Sequence, residues 1–220
     1  MTAPSVDASQ TMRARTRSQL WQILDRPALW ETTRVGLDLA FGLYRRRIEV
    51  LRGWGVLEEN ASVLDIGCGI GQYATLATGE YLGIDLNPRY VEYALRRRGG
   101  PGRSFRCVDV RDLRAEGRSF DVVLMVDFLH HLDEPACQGL LETAGAMTKR
   151  SLVSFEPISE QNNPVGQWII DHDRGNHMRP LAELRELFES VAGLQVTESV
   201  RLALGPITTR ATLCTPAAPR

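Results

Sequence analysis

The stretch VLDIGCGIGQY, Val63 to Tyr73, limits the fold more than any other part of the chain. A short apolar strand, broken only by Asp65, runs into glycines at every second position: Gly67, Gly69 and Gly71. Each glycine costs backbone entropy in regular structure. Three at a strand end therefore serve a tight turn, or the close approach of another group where a Cβ would stand in the way. In a sheet wound by helices on both faces, ligands bind beyond the carboxyl ends of the strands, where the strand order reverses. The segment after a first strand is such a place.

The rest of the chain supplies that sheet. Short apolar strands alternate with helices from residue 62 onward: Ser62–Ile66, Tyr81–Asp85, Ser104–Val108, Phe120–Val126 and Ser151–Phe155 read as strands. Their runs are too continuously apolar for a sheet wet on one face, which predicts a parallel sheet covered by helices. Asn87-Pro88 opens one helix, with Asn at the N-cap and Pro at the first turn. Glu134–Thr148 and the segment PLAELRELFESV read as two more. Glu156–Met178 reads as a long polar connection. Two final strands, Leu194–Leu204 and Thr208–Thr215, flank the turn signal Gly205-Pro206, so they form an antiparallel hairpin at one edge.

Before residue 61 the pattern is helical. Leu37, Phe41, Tyr44, Ile48 and Leu51 recur at spacings of four and three, and Pro27 separates a short first helix from a longer second one. The expected organisation is a mobile tail over 1–17, a helical cap over 18–60 and one α/β domain over 61–220.

Composition narrows the partners. A net charge of −1 and a pI of about 6.4 give no global basic field for nucleic acid and no polybasic approach to a membrane. The arginine runs 45–47 and 96–98 are local, and the second complements the dipole at the end of a helix closed by Gly99-Gly100. No apolar run reaches the roughly 18 residues of a membrane span, and the first residues lack the apolar segment of a signal peptide. The four cysteines have neither zinc nor redox spacing, which fits a reducing cytoplasm.

The glycine spacing then sharpens the ligand. A dinucleotide fingerprint reads G-x-G-x-x-G; here the run is G-x-G-x-G, and Gln72 stands where its third glycine would fall. Asp85, twenty residues after Asp65, ends the second strand, where a carboxylate can accept from both hydroxyls of a ribose and would repel a 2′-phosphate. The pocket suits an adenosine with a free ribose.

Four segments in order, VLDIGCGIGQY, YLGIDLNP, CVDVRDL and FDVVLMVDFLHHL, resemble the successive motifs of class I S-adenosylmethionine (SAM)-dependent methyltransferases. The likeness is dense from Val63 to Leu132. It departs from the family pattern before strand 5, where AGAMTKRSLVSFEP lacks the common Pro-Gly-Gly turn. The resemblance implies a Rossmann-like doubly wound α/β sheet of seven strands, the last antiparallel, beneath an N-terminal helical cap. It implies SAM as cofactor and S-adenosylhomocysteine (SAH) as product. Asp65 and the loop Gly67, Cys68, Gly69 and Gly71 would line the methionine and ribose. Asp85 would hold the ribose hydroxyls, and Leu86 would pack on adenine. Asp109 would accept from the adenine amino group, and Val110 would offer its backbone N–H. The Val126 carbonyl and the Tyr73 ring would face the sulfonium. Arg47, in register with Tyr44 and Leu51, would reach the methionine carboxylate; the alternative is a surface charge on a packed stem.

Methyl transfer from a sulfonium is an in-line substitution that demands positioning and dryness, and a base only where the acceptor carries a proton. The base candidates are His130 and His131, with Asp127 beside them; an imidazole suits proton removal near neutral pH. The alternative for His131 is a hydrogen bond that fixes the loop. Asp127, His130 and His131 also resemble a divalent-ion set of some catechol-type relatives, but adjacent histidines point apart, and no metal is expected. The second cluster, IIDHDRGNHMRP, resembles a segment of some small-molecule methyltransferases. It offers Asp173, Arg174, His177 and Arg179 as acceptor contacts, with Glu156 joining them, or else an internally salt-bridged wall. The expected activity is methylation of the oxygen, nitrogen or carbon of a small metabolite in bacterial specialised metabolism by a cytoplasmic monomer or homodimer. The alternatives are a SAM-binding catalyst of cyclisation or rearrangement and a SAM sensor. A nicotinamide oxidoreductase is disfavoured by Gln72 and by Asp109-Val110.

Overall fold

The computed structural model describes residues 26–171 and 175–217. The expected tail over 1–17 and the helix before Pro27 lie outside the described residues. Two helices come first, α1 (Pro27–Phe41) and α2 (Leu43–Gly53). The domain then runs β1 (Val63–Ile66), β2 (Tyr81–Ile84), α3 (Pro88–Arg98), β3 (Arg103–Arg106), α4 (Val110–Ala115) and β4 (Phe120–Val126). A 3₁₀ turn (Leu129–His131), α5 (Glu134–Ala146), β5 (Thr148–Pro157), α6 (Pro164–Asp171), α7 (Leu181–Glu189), β6 (Leu194–Leu204) and β7 (Ile207–Pro216) complete it.

The seven strands form one sheet in the order β3-β2-β1-β4-β5-β7-β6. β1 to β5 pair in parallel, with Asp65 level with Gly83 on one side and Leu124 on the other. β7 runs antiparallel to both β5 and β6. This is the expected seven-stranded α/β sheet, and its order reverses between β1 and β4. The crevice beyond those two strand ends is where the glycines lie.

Alternation along the strands builds two apolar layers. Leu64, Ile66, Leu82, Val123, Met125 and Leu152 pack on the α4, α5 and α7 side. On the other face, Val63, Tyr81 and Phe105 meet α3 through Val91 and Ala94, while Leu124, Val153 and Phe155 meet α2 through Leu51. Asp65 points into this second face, beside Tyr81.

Three readings need correction. The long N-terminal helix is broken at Gly42, which adopts φ +64° and closes α1 with its N–H on the Asp38 carbonyl. The stripe from Leu37 to Leu51 therefore belongs to two helices. α1 buries none of its residues, while α2 buries Arg47 and Leu51. The connection read as polar contains α6, whose Gly166 lies so close to the Pro206 carbonyl that no Cβ would fit. Finally, the Arg96–Arg98 run does more than face a helix dipole. Arg98 donates to the Ile70 carbonyl at 3.0 Å and pairs with Glu31 of α1. Gly99 closes α3 in an extended rather than left-handed conformation.

Candidate functional site

The glycine loop is shaped by its neighbours at two positions and open at the third. Gly67, Gly69 and Gly71 all take positive φ, at +71°, +52° and +74°, where glycine alone is at ease. A Cβ on Gly67 would run into the Phe128 ring, and one on Gly71 into Phe105. A Cβ on Gly69 would meet no described atom within 4 Å. Two glycines are thus required by packing, and the middle one leaves room for something to lie against the backbone.

Asp85 anchors that middle glycine. One of its carboxylate oxygens accepts from the Gly69 N–H at 2.9 Å and the other from the Asn87 N–H at 2.8 Å. Burial raises its pKa, and the backbone N–H groups oppose the shift. Each oxygen keeps further acceptor capacity on the side of the loop. Behind it, Asp65 is almost fully buried and accepts from the Tyr81 hydroxyl at 2.6 Å. Burial, with the Asp85 charge, lifts the Asp65 carboxyl to about 7. Cys68 is buried in the same loop, and burial pushes its thiol well up. Leu86 is exposed beyond Asp85.

At the third strand end, Val110 is buried in the first turn of α4, where helix N–H groups lack intrahelical partners. Asp109 caps that turn. It accepts from the Arg111 backbone N–H and from the Arg111 guanidinium at 2.9 and 2.8 Å. The guanidinium holds the Asp109 carboxyl below its ordinary value.

Across the crevice, α2 delivers Arg47 to the ends of β1 and β4. The guanidinium is buried, donates to Asp127 at 2.7 Å and to the Tyr73 hydroxyl at 3.4 Å, and lies over the Phe155 ring. Burial acts to lower its pKa, but the Asp127 and Tyr73 charges and hydrogen bonds outweigh it, so Arg47 stays a cation. Its Nε atom is buried and has no hydrogen-bond partner among the described residues. Tyr73 is also buried, which raises its hydroxyl to about 12. Asp127, directly after Val126, takes φ +52°, a region that aspartate visits at modest cost and that clusters at functional sites.

Glu156 organises the turn after β4. It is 2 % exposed. One oxygen accepts from the Phe128 and Leu129 N–H groups, both at 2.9 Å; the other meets the His130 ring Nδ1 at 2.9 Å. His130 is buried, and the exposed His131 ring lies 4.2 Å from it, centroid to centroid. Arg179 is buried too. Its guanidinium donates to the carbonyls of Leu129, Leu132 and His177, so it ties the later segment to this turn. His177 is exposed, and its N–H donates to the His130 carbonyl at 3.0 Å. Asp173 and Arg174 lie outside the described residues. Among the described residues no group of three metal-ligating side chains converges, and no helix is long and apolar enough to cross a membrane.

The sequence-predicted residues fall into two sets around one crevice. Asp65, the glycine loop, Asp85, Leu86, Asp109 and Val110 follow the ends of β1, β2 and β3. Arg47, Tyr73, Val126, Asp127, His131 and Glu156 cluster around the ends of β4 and β5. Sequence reasoning missed Tyr81 on Asp65, Phe128 against Gly67, and the Glu31–Arg98 pair. Only Arg98 carried a signal, within its arginine run.

A seven-stranded sheet of this order, with a glycine loop and a carboxylate at the ends of β1 and β2, is the class I methyltransferase fold. Residues 63–151 match the family described as a methyltransferase domain. The chain is 30% identical over 162 residues to a ubiquinone biosynthesis O-methyltransferase of Cereibacter sphaeroides (strain ATCC 17025 / ATH 2.4.3), covering 66% of this chain and 64% of that protein. It is 40% identical over 73 residues to a probable phthiotriol/phenolphthiotriol dimycocerosates methyltransferase 2 of Mycobacterium ulcerans (strain Agy99), over 31% of this chain and 28% of that one. The matched parts span 28%, 50% and 64% of three such curated relatives. In structure it resembles magnesium protoporphyrin IX methyltransferase (ChlM) from Synechocystis PCC 6803, crystallised with bound SAM. The TM-score is 0.67 at 17% identity, over 98% of this chain and 100% of that one. Residues 63–151 thus match a methyltransferase domain, and the fold is that of class I SAM-dependent methyltransferases.

Proposed function

We propose that the protein binds SAM in this crevice and transfers its methyl group to a hydroxyl of a small molecule. The observation that carries the cofactor assignment is Gly69. It alone of the three loop glycines faces open space, and its N–H is held by the carboxylate that would accept from ribose hydroxyls. The buried Arg47 Nε without a partner marks the place for an anionic group on the opposite wall. The residues present fit the cofactor. Asp85 would hold the ribose, Leu86 and the Val110 N–H the adenine edge, and the glycine loop with Asp65 the methionine part. Arg47 would reach the carboxylate.

When bound, SAM supplies an electrophilic methyl group already activated by the positive charge of its sulfonium. The chain must align an acceptor oxygen behind that methyl, exclude water and take the proton. Alignment of this kind contributes on the order of 7–11 kcal/mol. Tyr73 and Phe155 give the crevice a dry wall. Asp127 is committed to Arg47, and His130 to Glu156. His131 is exposed beside them, and in this reading it accepts the proton, while Glu156 and His130 hold its turn in place. The oxygen acceptor is supported by the O-methyltransferase among the relatives and by this supply of a base.

The test is incubation with methyl-labelled SAM and a panel of hydroxylated, amino and carbon-acid small molecules. Equal amounts of labelled product and SAH, with the label on oxygen, are expected. Conversion of a substrate with SAM unconsumed would replace transfer by non-methylating catalysis.

A further inference from the structure

Helix α1 touches the domain near both of its own ends. Near its start, Glu31 pairs with Arg98, and the Tyr93 hydroxyl donates to the same carboxylate. At its end, the Phe41 ring lies against Gly205 in the β6–β7 turn, so closely that a Cβ there would clash. Ten residues of helix separate Glu31 from Phe41, about 15 Å at 1.5 Å per residue. Three strand spacings, β1 to β4 to β5 to β7, also come to about 15 Å. The helix therefore reaches from the second half of α3 to the β6–β7 turn. None of its residues is fully buried. The Glu31 and Arg98 side chains are 17% and 14% exposed, which shields their pairing from solvent.

Arg98 does a second thing. Its other terminal nitrogen donates at 3.0 Å to the carbonyl of Ile70, the peptide between Gly69 and Gly71. One guanidinium thus grips both α1 and the loop that contains the open Gly69. We infer that Arg98 and Glu31 are positioning residues for the cofactor loop: Arg98 fixes the Ile70 peptide, and Glu31 fixes Arg98 by tying it to α1. Docking of α1 and shaping of the loop then depend on the same guanidinium. The inference rests on the cofactor reading above.

The order of action predicts the mutant pattern. Glu31 reaches the loop only through Arg98, so the two substitutions are not additive. The experiment is SAH titration by calorimetry on Arg98→Ala, Glu31→Ala and the double variant, together with amide hydrogen exchange across residues 67–73 in the ligand-free protein. Loss of a partly shielded charged hydrogen bond weakens SAH binding about tenfold in Arg98→Ala and somewhat less in Glu31→Ala. The double variant matches Arg98→Ala, and loop exchange quickens in all three. Arg98→Lys, which retains charge but not the two-armed grip, rescues at most part of the affinity. Unchanged SAH affinity and unchanged loop exchange in a folded Arg98→Ala overturn the inference, and so does a Glu31→Ala loss that simply adds to that of Arg98→Ala. Should the wild type bind no SAH, the cofactor reading falls by itself, and loop exchange in Glu31→Ala still decides the positioning role: faster exchange upholds it and unchanged exchange overturns it.

Discussion

At the scale of single residues, the site turns on what each carboxylate already holds. Asp85 spends one lone pair per oxygen on Gly69 and Asn87, and in the proposed complex the rest face two ribose hydroxyls. Asp85→Ala removes those acceptors and frees the Gly69 N–H, so SAH binding weakens by about 1–3 kcal/mol. Calorimetry on the folded variant checks this, and an unchanged dissociation constant removes Asp85 from the ribose. The two histidines differ in burial. His131 is exposed and His130 buried against Glu156. His131→Ala is expected to lose about 10²–10⁴-fold in turnover with cofactor affinity retained, as for a general base. His130→Ala removes a buried partner of Glu156 and lowers the thermal midpoint as well. If His131→Ala turns over normally across pH, the histidines only shape the turn.

At the scale of elements, Gly42 separates α1 from α2, the helix that delivers Arg47. Its backbone lies in the left-handed region at φ +64°, so Gly42→Ala costs about 1–2 kcal/mol through the Cβ alone. The expected result is a lowered thermal midpoint without loss of the sheet, read by far-UV circular dichroism. This break was not legible. The apolar spacing from Leu37 to Leu51 carries through it, and a single glycine in a helical pattern is tolerated often enough to give no warning. The strands were legible because β1, β2, β4 and β5 are buried on both faces, and continuous apolar runs leave few alternatives. Helix α6 was not, being only eight residues long and lying in a polar stretch. Its start does carry a signal: Asn163-Pro164, with the Asn163 side chain accepting from Gly166 N–H, repeats the Asn87-Pro88 start of α3. In the site, local spacing exposed the glycine loop and Asp85. The Glu31–Arg98 pair joins residues 67 apart, and Glu156 reaches back 28 positions to the turn it caps. Such pairings depend on which strands become neighbours and leave no periodic trace.

At the scale of the whole molecule, ligand binding and protonation act on the same folding equilibrium. A ligand that binds only the folded chain stabilises it by mass action, about 2.7 kcal/mol at a hundredfold excess over the dissociation constant. SAM should therefore raise the thermal midpoint and NAD should not; the reverse would reject the cofactor. Asp65 adds a pH dependence of definite sign. Its carboxyl titrates near 7 in the folded chain, against about 3.9 in an unfolded one. Between those values the folded state binds the extra proton, so stability from this group is complete below about pH 4. It declines as pH rises and is lost through about 7. Asp65→Asn, which stays neutral, should flatten that part of the stability curve, measured by urea unfolding at several pH values. In the proposed complex SAM would reverse the preference at this one group, because a cationic methionine moiety beside Asp65 would favour the carboxylate. Below pH 7 binding must then displace the proton, and above it need not. Affinity for SAM should rise from pH 6 to pH 8 in the wild type, with proton release visible as a buffer-dependent calorimetric enthalpy, and Asp65→Asn should lose both effects. A wild-type affinity independent of pH, with no proton released, would place the cationic part of the ligand away from Asp65.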